Sequence, residues 1–445
     1  MPNSKDGVFT FPCLLIVILF VQGALNSLVL LYLIEAASLL WWLARSGSVL
    51  PIPRQIFNPM MIFLAYAVFE IFHSSLQRFP QDSYILFLDA KYLGLLPLFL
   101  VGNAAARDSA EVRRYFRLTI ICSGFISAAL IVVASVGLPY PRAFGNRGDL
   151  GALVAVGTVL SVSSYLGGTT TLRNLIGLNG LQLFALLLLE GRTVFLELVA
   201  GLGTLIWVTV SKRWNLQWRR IAVPTALIFV TALAGTYTFY QRVDSEDILE
   251  AYIDREARVL ALSLLMEIID QSSIQEILFG YGPGSTFEGF ARDLPKNVRR
   301  HVKQIKFSSG VNRYVSWGFH NGFIRLFLLH GLIGIVLVGY VFWKVLRLAL
   351  LRSRRDGSAA ISLISLTVLF LVANIGNAAF AISSVGGLFY FFFGALCRML
   401  LNPYGAASET SDARDSFDRQ SNARTHGVSS RIPNQGGGRV DAVVS

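Results

Sequence analysis

Charge is scarce in this chain. Asp, Glu, Lys and Arg make up 15% of its 445 residues, where a soluble globular domain carries about 25%. Cysteine is scarcer still. The three present, Cys13, Cys122 and Cys397, all fall in apolar runs, so no disulfide framework is readable. The sequence has no Asp-x-Asp pair and no His, Cys and Glu set at metal-ligand spacing, which argues against metal-assisted chemistry. It has no Walker loop. Gly280-x-Gly282-x-Gly284 has no strand–turn–helix context for a nucleotide, and reads as a turn cluster.

What remains is apolar. Hydrophobic residues make up 54% of the chain and the mean hydropathy is +0.56. They come in runs of about 17–25 residues, the length a helix needs to cross a bilayer. The runs lack the alternation of barrel strands, and helices satisfy their own backbone in lipid. The expectation is an all-α polytopic membrane protein with about twelve spans, near 11–22, 24–44, 57–74, 83–101, 115–138, 150–168, 172–190, 193–210, 221–240, 320–344, 358–376 and 379–400. The first run follows Lys5 and lacks a convincing cleavage site, so it is kept as a helix.

The net charge of +12 is explained by topology rather than by nucleic acid. With the N-terminus inside, short inner segments carry 18 Lys and Arg against 5 in short outer ones, the bias expected of cytoplasmic loops. This puts a large, partly helical loop, 241–319, on the periplasmic side. Its first half is acidic, through Asp244, Glu246, Asp247, Glu250, Asp254 and Glu256. Its second half is basic, with Leu294, Val298, Val302 and Ile305 at helical spacing. That half reads as a membrane-surface helix or as a solvated one. Residues 1–400 form the transmembrane domain. Residues 401–445, rich in Ser, Asn, Gly and Arg, read as a disordered cytoplasmic tail.

Chemistry-bearing residues cluster toward the outer face. His320 closes the loop and opens an apolar helix; a neutral imidazole there can take a proton. Asn321 holds either its own backbone or a substrate hydroxyl. Arg192, in Glu190-Gly191-Arg192-Thr193 between two apolar runs, offers a planar fork for phosphate oxygens or snorkels at the interface. Arg255 and Arg258 lie in the first half of the loop, and Arg78, Lys91, Arg142 and Arg147 are further outer cations. Glu35 and Arg325 fall within spans, where ionisable groups usually face the bundle interior. A His with several Arg and no metal set suits departure of a sugar from a lipid pyrophosphate, with Arg stabilising the leaving charge and His accepting the hydroxyl proton.

On these residues the chain resembles the O-antigen ligase and O-antigen polymerase superfamily of bacterial envelope proteins. The resemblance rests on Glu190-Gly191-Arg192-Thr193, Arg258 ahead of an apolar helix, Gly280-Tyr281-Gly282-Pro283-Gly284, and His320-Asn321 followed by Leu332-Ile333-Gly334, in that order across about residues 20–400. It departs from the usual pattern where Leu262 stands in place of an expected Trp, in a longer stretch between Arg258 and Gly280 that leaves Arg255 a rival to Arg258.

The resemblance implies a glycosyltransferase of the bacterial inner (plasma) membrane acting at its periplasmic face, inverting and independent of metal or cofactor. The donor would be a glycan on undecaprenyl pyrophosphate. The acceptor would be a hydroxyl of another glycan, of lipid A-core or of another molecule, giving lipopolysaccharide or exopolysaccharide. Arg192 and Arg258 would hold the pyrophosphate and His320 would activate the acceptor. Arg255, Gly282, Asn321 and Arg147 would complete the substrate contacts. The alternative is a transporter or flippase of the lipid-linked oligosaccharide. Reporter fusions within 241–319 are expected to be active on the periplasmic side; activity of a cytoplasmic reporter there would overturn this topology.

Overall fold

The computed structural model describes residues 10–25, 27–45, 54–74, 86, 89, 96–136, 147–189, 192–212, 225–227, 230–231, 265–266, 268–270, 272–284, 286–287, 304–306, 312–315, 321–352, 357–376 and 383–401. The chain divides into two units, Met1–Leu401 and Asn402–Ser445, and every described residue belongs to the first. In chain order the helices are α1 (Phe11–Leu25), α2 (Leu28–Arg45), α3 (Arg54–Ser74), α4 (Leu96–Ala105), α5 (Ser109–Ser135), α6 (Arg147–Leu166), α7 (Leu172–Leu189), α8 (Arg192–Lys212), α9 (Ile274–Phe279), α10 (Gly322–Arg352), α11 (Gly357–Gly376) and α12 (Ser383–Leu401).

Among the described residues, eight helices are long and apolar enough to cross a membrane: α3, α5, α6, α7, α8, α10, α11 and α12. Their outward faces carry large exposed apolar side chains, such as Phe125 at 72% and Trp207 at 68%. A water-facing surface does not sustain so much apolar area. The protein is a helical, multi-pass membrane protein. The spans expected at 11–22, 24–44 and 83–101 correspond to the apolar helix α1, to α2 and to the short apolar helix α4. Of the span expected at 221–240, residues 225–227 and 230–231 are described, as helix.

Without a hydrophobic drive between helices in lipid, close backbone approach and interhelical hydrogen bonds carry the packing. Both are present. α4 lies against α12 where a Cβ on Gly102 would meet the Phe391 carbonyl oxygen at 2.0 Å, and one on Gly394 would meet the Phe99 oxygen at 2.1 Å. The Phe370 and Phe389 rings of α11 and α12 stack at 3.9 Å. A buried polar chain ties α5, α6 and α7 together. Gln182 Nε2 donates to Ser123 Oγ at 2.6 Å, and the Thr158 hydroxyl lies 3.0 Å from Gln182 Oε1.

The loop region contributes α9 and a small antiparallel sheet, β1 (Thr286–Phe287), β2 (Gln304–Lys306) and β3 (Asn312–Val315), ordered β1-β3-β2. Thr286 pairs with Val315 and Ile305 with Arg313. The helical class therefore holds for the apolar part, with three short strands beside it. Ile305, expected on a helix with Leu294, Val298 and Val302, sits on β2 instead. A short surface helix is marginal by itself in water, whereas the strand pairing with Arg313 is fixed by a partner and suits a β-branched residue.

Two matched substitutions test the α4–α12 contact. Gly394→Ala should lower stability in detergent by about 1–3 kcal/mol through overpacking. Gly203→Ala, where a Cβ would meet nothing within 4 Å, should leave the thermal midpoint nearly unchanged. Equal midpoints for the two variants would overturn the close approach.

Candidate functional site

α10 is broken. Gly331 has φ 58° and ψ −163°, outside the helical region, a conformation that glycine reaches without a Cβ clash. The break separates a short first segment, Gly322–His330, from Leu332–Arg352, which at about 1.5 Å per residue is long enough to span a bilayer by itself. A helix interrupted in an apolar setting leaves carbonyl oxygens without their i+4 donors. Here three of them find donors elsewhere. Leu328 O accepts from Tyr281 N at 2.8 Å and Leu329 O from Gly282 N at 3.1 Å. His330 O accepts from the Tyr66 hydroxyl of α3 at 2.8 Å.

The donors from residues 280–284 arrive on a turn that only small residues permit. α9 starts with a capping box between Ser273 and Glu276 and ends at Gly280, with φ 77°. The contact is backbone on backbone. A Cβ on Gly280 would lie 2.5 Å from Gly331 N, and one on Gly331 would lie 2.4 Å from Gly280 N. Tyr281 is buried against this junction at 2% exposure. Its hydroxyl bonds Ser272 Oγ, whose own proton goes to Ile268 O, so the phenol is the donor. Burial pushes the Tyr281 phenol up to about 12, and it stays protonated at neutral pH.

An ion pair completes the junction. Arg325 Nη2 lies 2.8 Å from Asp89 Oδ1, and Gly284 N donates to Asp89 Oδ2 at 3.0 Å. Asp89 is fully buried and Arg325 nearly so. One carboxylate thus holds both the first segment of α10 and the far end of the glycine turn. Ionisable groups in apolar surroundings need such partners.

Asn321 caps α10. Its Oδ1 accepts from Phe323 N at 2.9 Å and Ile324 N at 3.1 Å, the work of a helix N-cap. Its Nδ2 donates to Ile375 O at the end of α11, at 3.1 Å. Of its two readings, the backbone one is realised. Gly282, expected as a substrate contact, is buried with its amide donated to Leu329 O. Arg325, placed within a span by the sequence, has Asp89 as its ion-pair partner.

His320, Arg255 and Arg258 lie outside the described residues, as do Arg78, Lys91 and Arg142. Arg192 and Arg147 are the first residues of α8 and α6; their side chains lie outside the described set. No group of three or more His, Cys, Asp or Glu suited to a metal ion occurs among the described residues.

Sequence reasoning missed Asp89, Tyr66, Glu70 and His330. His330 is fully buried, with its ring 5.9 Å from Phe63 and 6.1 Å from Tyr66. Glu70, one turn on from Tyr66, is fully buried as well. The available signal was the same for each: a polar side chain inside an apolar run, as in Leu86-Phe87-Leu88-Asp89 and Leu328-Leu329-His330.

Searched against protein-family models and against curated proteins, the chain matches none.

Asp89→Ala strips Arg325 of this partner and should cost about 3–5 kcal/mol, whereas Asp89→Ala with Arg325→Leu should recover most of the loss. Thermal unfolding of the purified variants in detergent reads both values; additive losses would mean that the pair is not coupled.

Proposed function

We propose that this protein transfers a glycan from a polyprenyl pyrophosphate to an acceptor hydroxyl at the outer face of the bacterial inner membrane, as an O-antigen ligase or polysaccharide polymerase does. The observation that carries the reading is the docking of the Gly280–Gly284 turn into the break of α10. Two segments 47 residues apart in the sequence become one unit, joined by Tyr281 N–Leu328 O and Gly282 N–Leu329 O bonds. The residue before the Asn321 cap in the sequence is His320, the candidate base.

The chemistry divides among residues by type. His320 would take the proton of the acceptor hydroxyl as its oxygen attacks the anomeric carbon. The bond from that carbon to the pyrophosphate oxygen breaks, and Arg192 and Arg258, with Arg255 in reserve, would stabilise the departing charge. A single displacement of this kind inverts the anomeric centre. The twelve-span topology, with 241–319 outside, belongs to this proposal. A cleft lined by Met60, Phe63, Leu96, Val338, Phe342 and Tyr390 adjoins the junction through Phe63, and its apolar lining suits a lipid chain.

Transport of the same lipid-linked glycan is the second reading. A broken helix beside buried ionisable groups is also a feature of transporters.

One reconstituted assay separates the two. Wild-type protein in vesicles with a lipid-pyrophosphate-linked glycan and an acceptor should yield a new glycosidic bond without added divalent metal. His320→Ala and Arg192→Ala should each reduce transfer by at least about 100-fold, the usual scale of a lost acid–base group or charge-stabilising donor. Translocation of the lipid without bond exchange would favour transport. Undiminished transfer in both variants would overturn the assigned roles.

A further inference from the structure

A second polar site lies at the other end of the bundle. The Asn321–Ile375 bond fixes the end of α11 beside the start of α10. Residues 377–382 alone separate α11 from α12, so α12 begins at that end too. Ser109, Arg113 and Phe116 of α5 line one pocket with Leu396 and Met399, near the far end of α12, which sets the first turn of α5 toward the opposite end. There a cavity of about 560 Å³ opens between α1, α2, α4 and α5.

Its lining combines three guanidiniums with aromatic rings. Arg45, Arg107 and Arg114 surround it, with Phe11, Trp41 and Tyr115. The Arg45 guanidinium lies 5.2 Å from the centre of the Trp41 ring, within cation–π range. Trp41 in turn stacks on Phe11 at 5.4 Å. Among the described residues, Glu111 is the one carboxylate in the lining. It is engaged locally, accepting from Arg107 N at 2.8 Å while its own amide bonds the Asp108 cap. The lining keeps a net positive charge, and it faces the N-terminal, positive end of the 27-residue helix α5.

We propose that this cavity binds the phosphate of an anionic phospholipid, held between the three arginines with its acyl chains along α2. The walls favour a lipid over a free phosphate compound. α2 presents a strip of outward apolar residues next to the cavity, with Val29, Leu33 and Leu40 exposed by 71%, 61% and 67%. Trp41, beside Leu40 on the same helix, has the amphipathic ring that settles at headgroup level. Basic pockets between helix ends at a membrane face are suited to anionic headgroups. This site stands apart from the glycan-transfer reading and survives if that reading fails.

The test uses the purified full chain in nanodiscs of phosphatidylcholine with increasing phosphatidylglycerol, with native mass spectrometry reading the lipids retained. The wild type should retain phosphatidylglycerol in preference to phosphatidylcholine. Arg107→Gln with Arg114→Gln should weaken retention by about fivefold per guanidinium, roughly twenty-five-fold together. Arg117→Gln, an exposed arginine on the same helix outside the lining, should leave it unchanged. If the double variant fails to fold, the single Arg45→Gln variant, expected about fivefold weaker, carries the test. Equal retention of the two lipids overturns the proposal, as does wild-type retention by the Arg45 or double variant. Full displacement of the lipid by millimolar inorganic phosphate would assign the cavity to a soluble anion instead.

Discussion

The break in α10 at Gly331 is the constraint around which the loop end is built. A helix interrupted where water is excluded must satisfy the carbonyls it frees, because each unmet polar group there costs several kcal/mol. Leu328, Leu329 and His330 obtain their donors from Tyr281, Gly282 and Tyr66. Those three bonds oblige the glycine turn to lie on α10 and α3 to lie beside it. The Asp89–Arg325 pair then anchors both parties through one carboxylate.

This arrangement gives the described loop residues a fixed attachment to the bundle. The first segment of α10 is fixed at its head by the Asn321 cap and the Ile375 bond, and at its foot by the turn. Leu332–Arg352 supplies the span. The opposite end carries the arginine cavity between α1, α2, α4 and α5. Both polar features sit at helix ends, where charge is tolerated in a bilayer protein.

Much of the architecture was legible because lipid imposes a simple rule on composition. Runs such as 172–190 and 358–376 had to be helices, and α7 and α11 occupy nearly the same residues. Gly280–Gly284 was legible as a turn, since glycine and proline at that density punctuate structure. Its destination was not. Gly331 lies in Leu328-Leu329-His330-Gly331-Leu332, where a lone glycine reads as a tolerated helix residue; its positive φ and its backbone contact with Gly280 are visible only in the fold. Ile305 misled in the opposite sense, because helical spacing over a few apolar residues arises easily and a partner strand outweighs it.

The sequence by itself determined a helical, multi-pass membrane protein, since the count and length of apolar runs are local properties that no distant contact can change. It also determined that Asn321 stands at the head of an apolar helix, where a side-chain oxygen is useful. Tertiary structure decided the rest: that Arg325 pairs with Asp89, that Gly282 donates its amide to Leu329, and that Arg45, Arg107 and Arg114 line one cavity. Each of these joins residues from separate elements of the chain. Which faces of two helices meet depends on glycine contacts and buried hydrogen bonds summed over the whole bundle, and no window of sequence contains that sum.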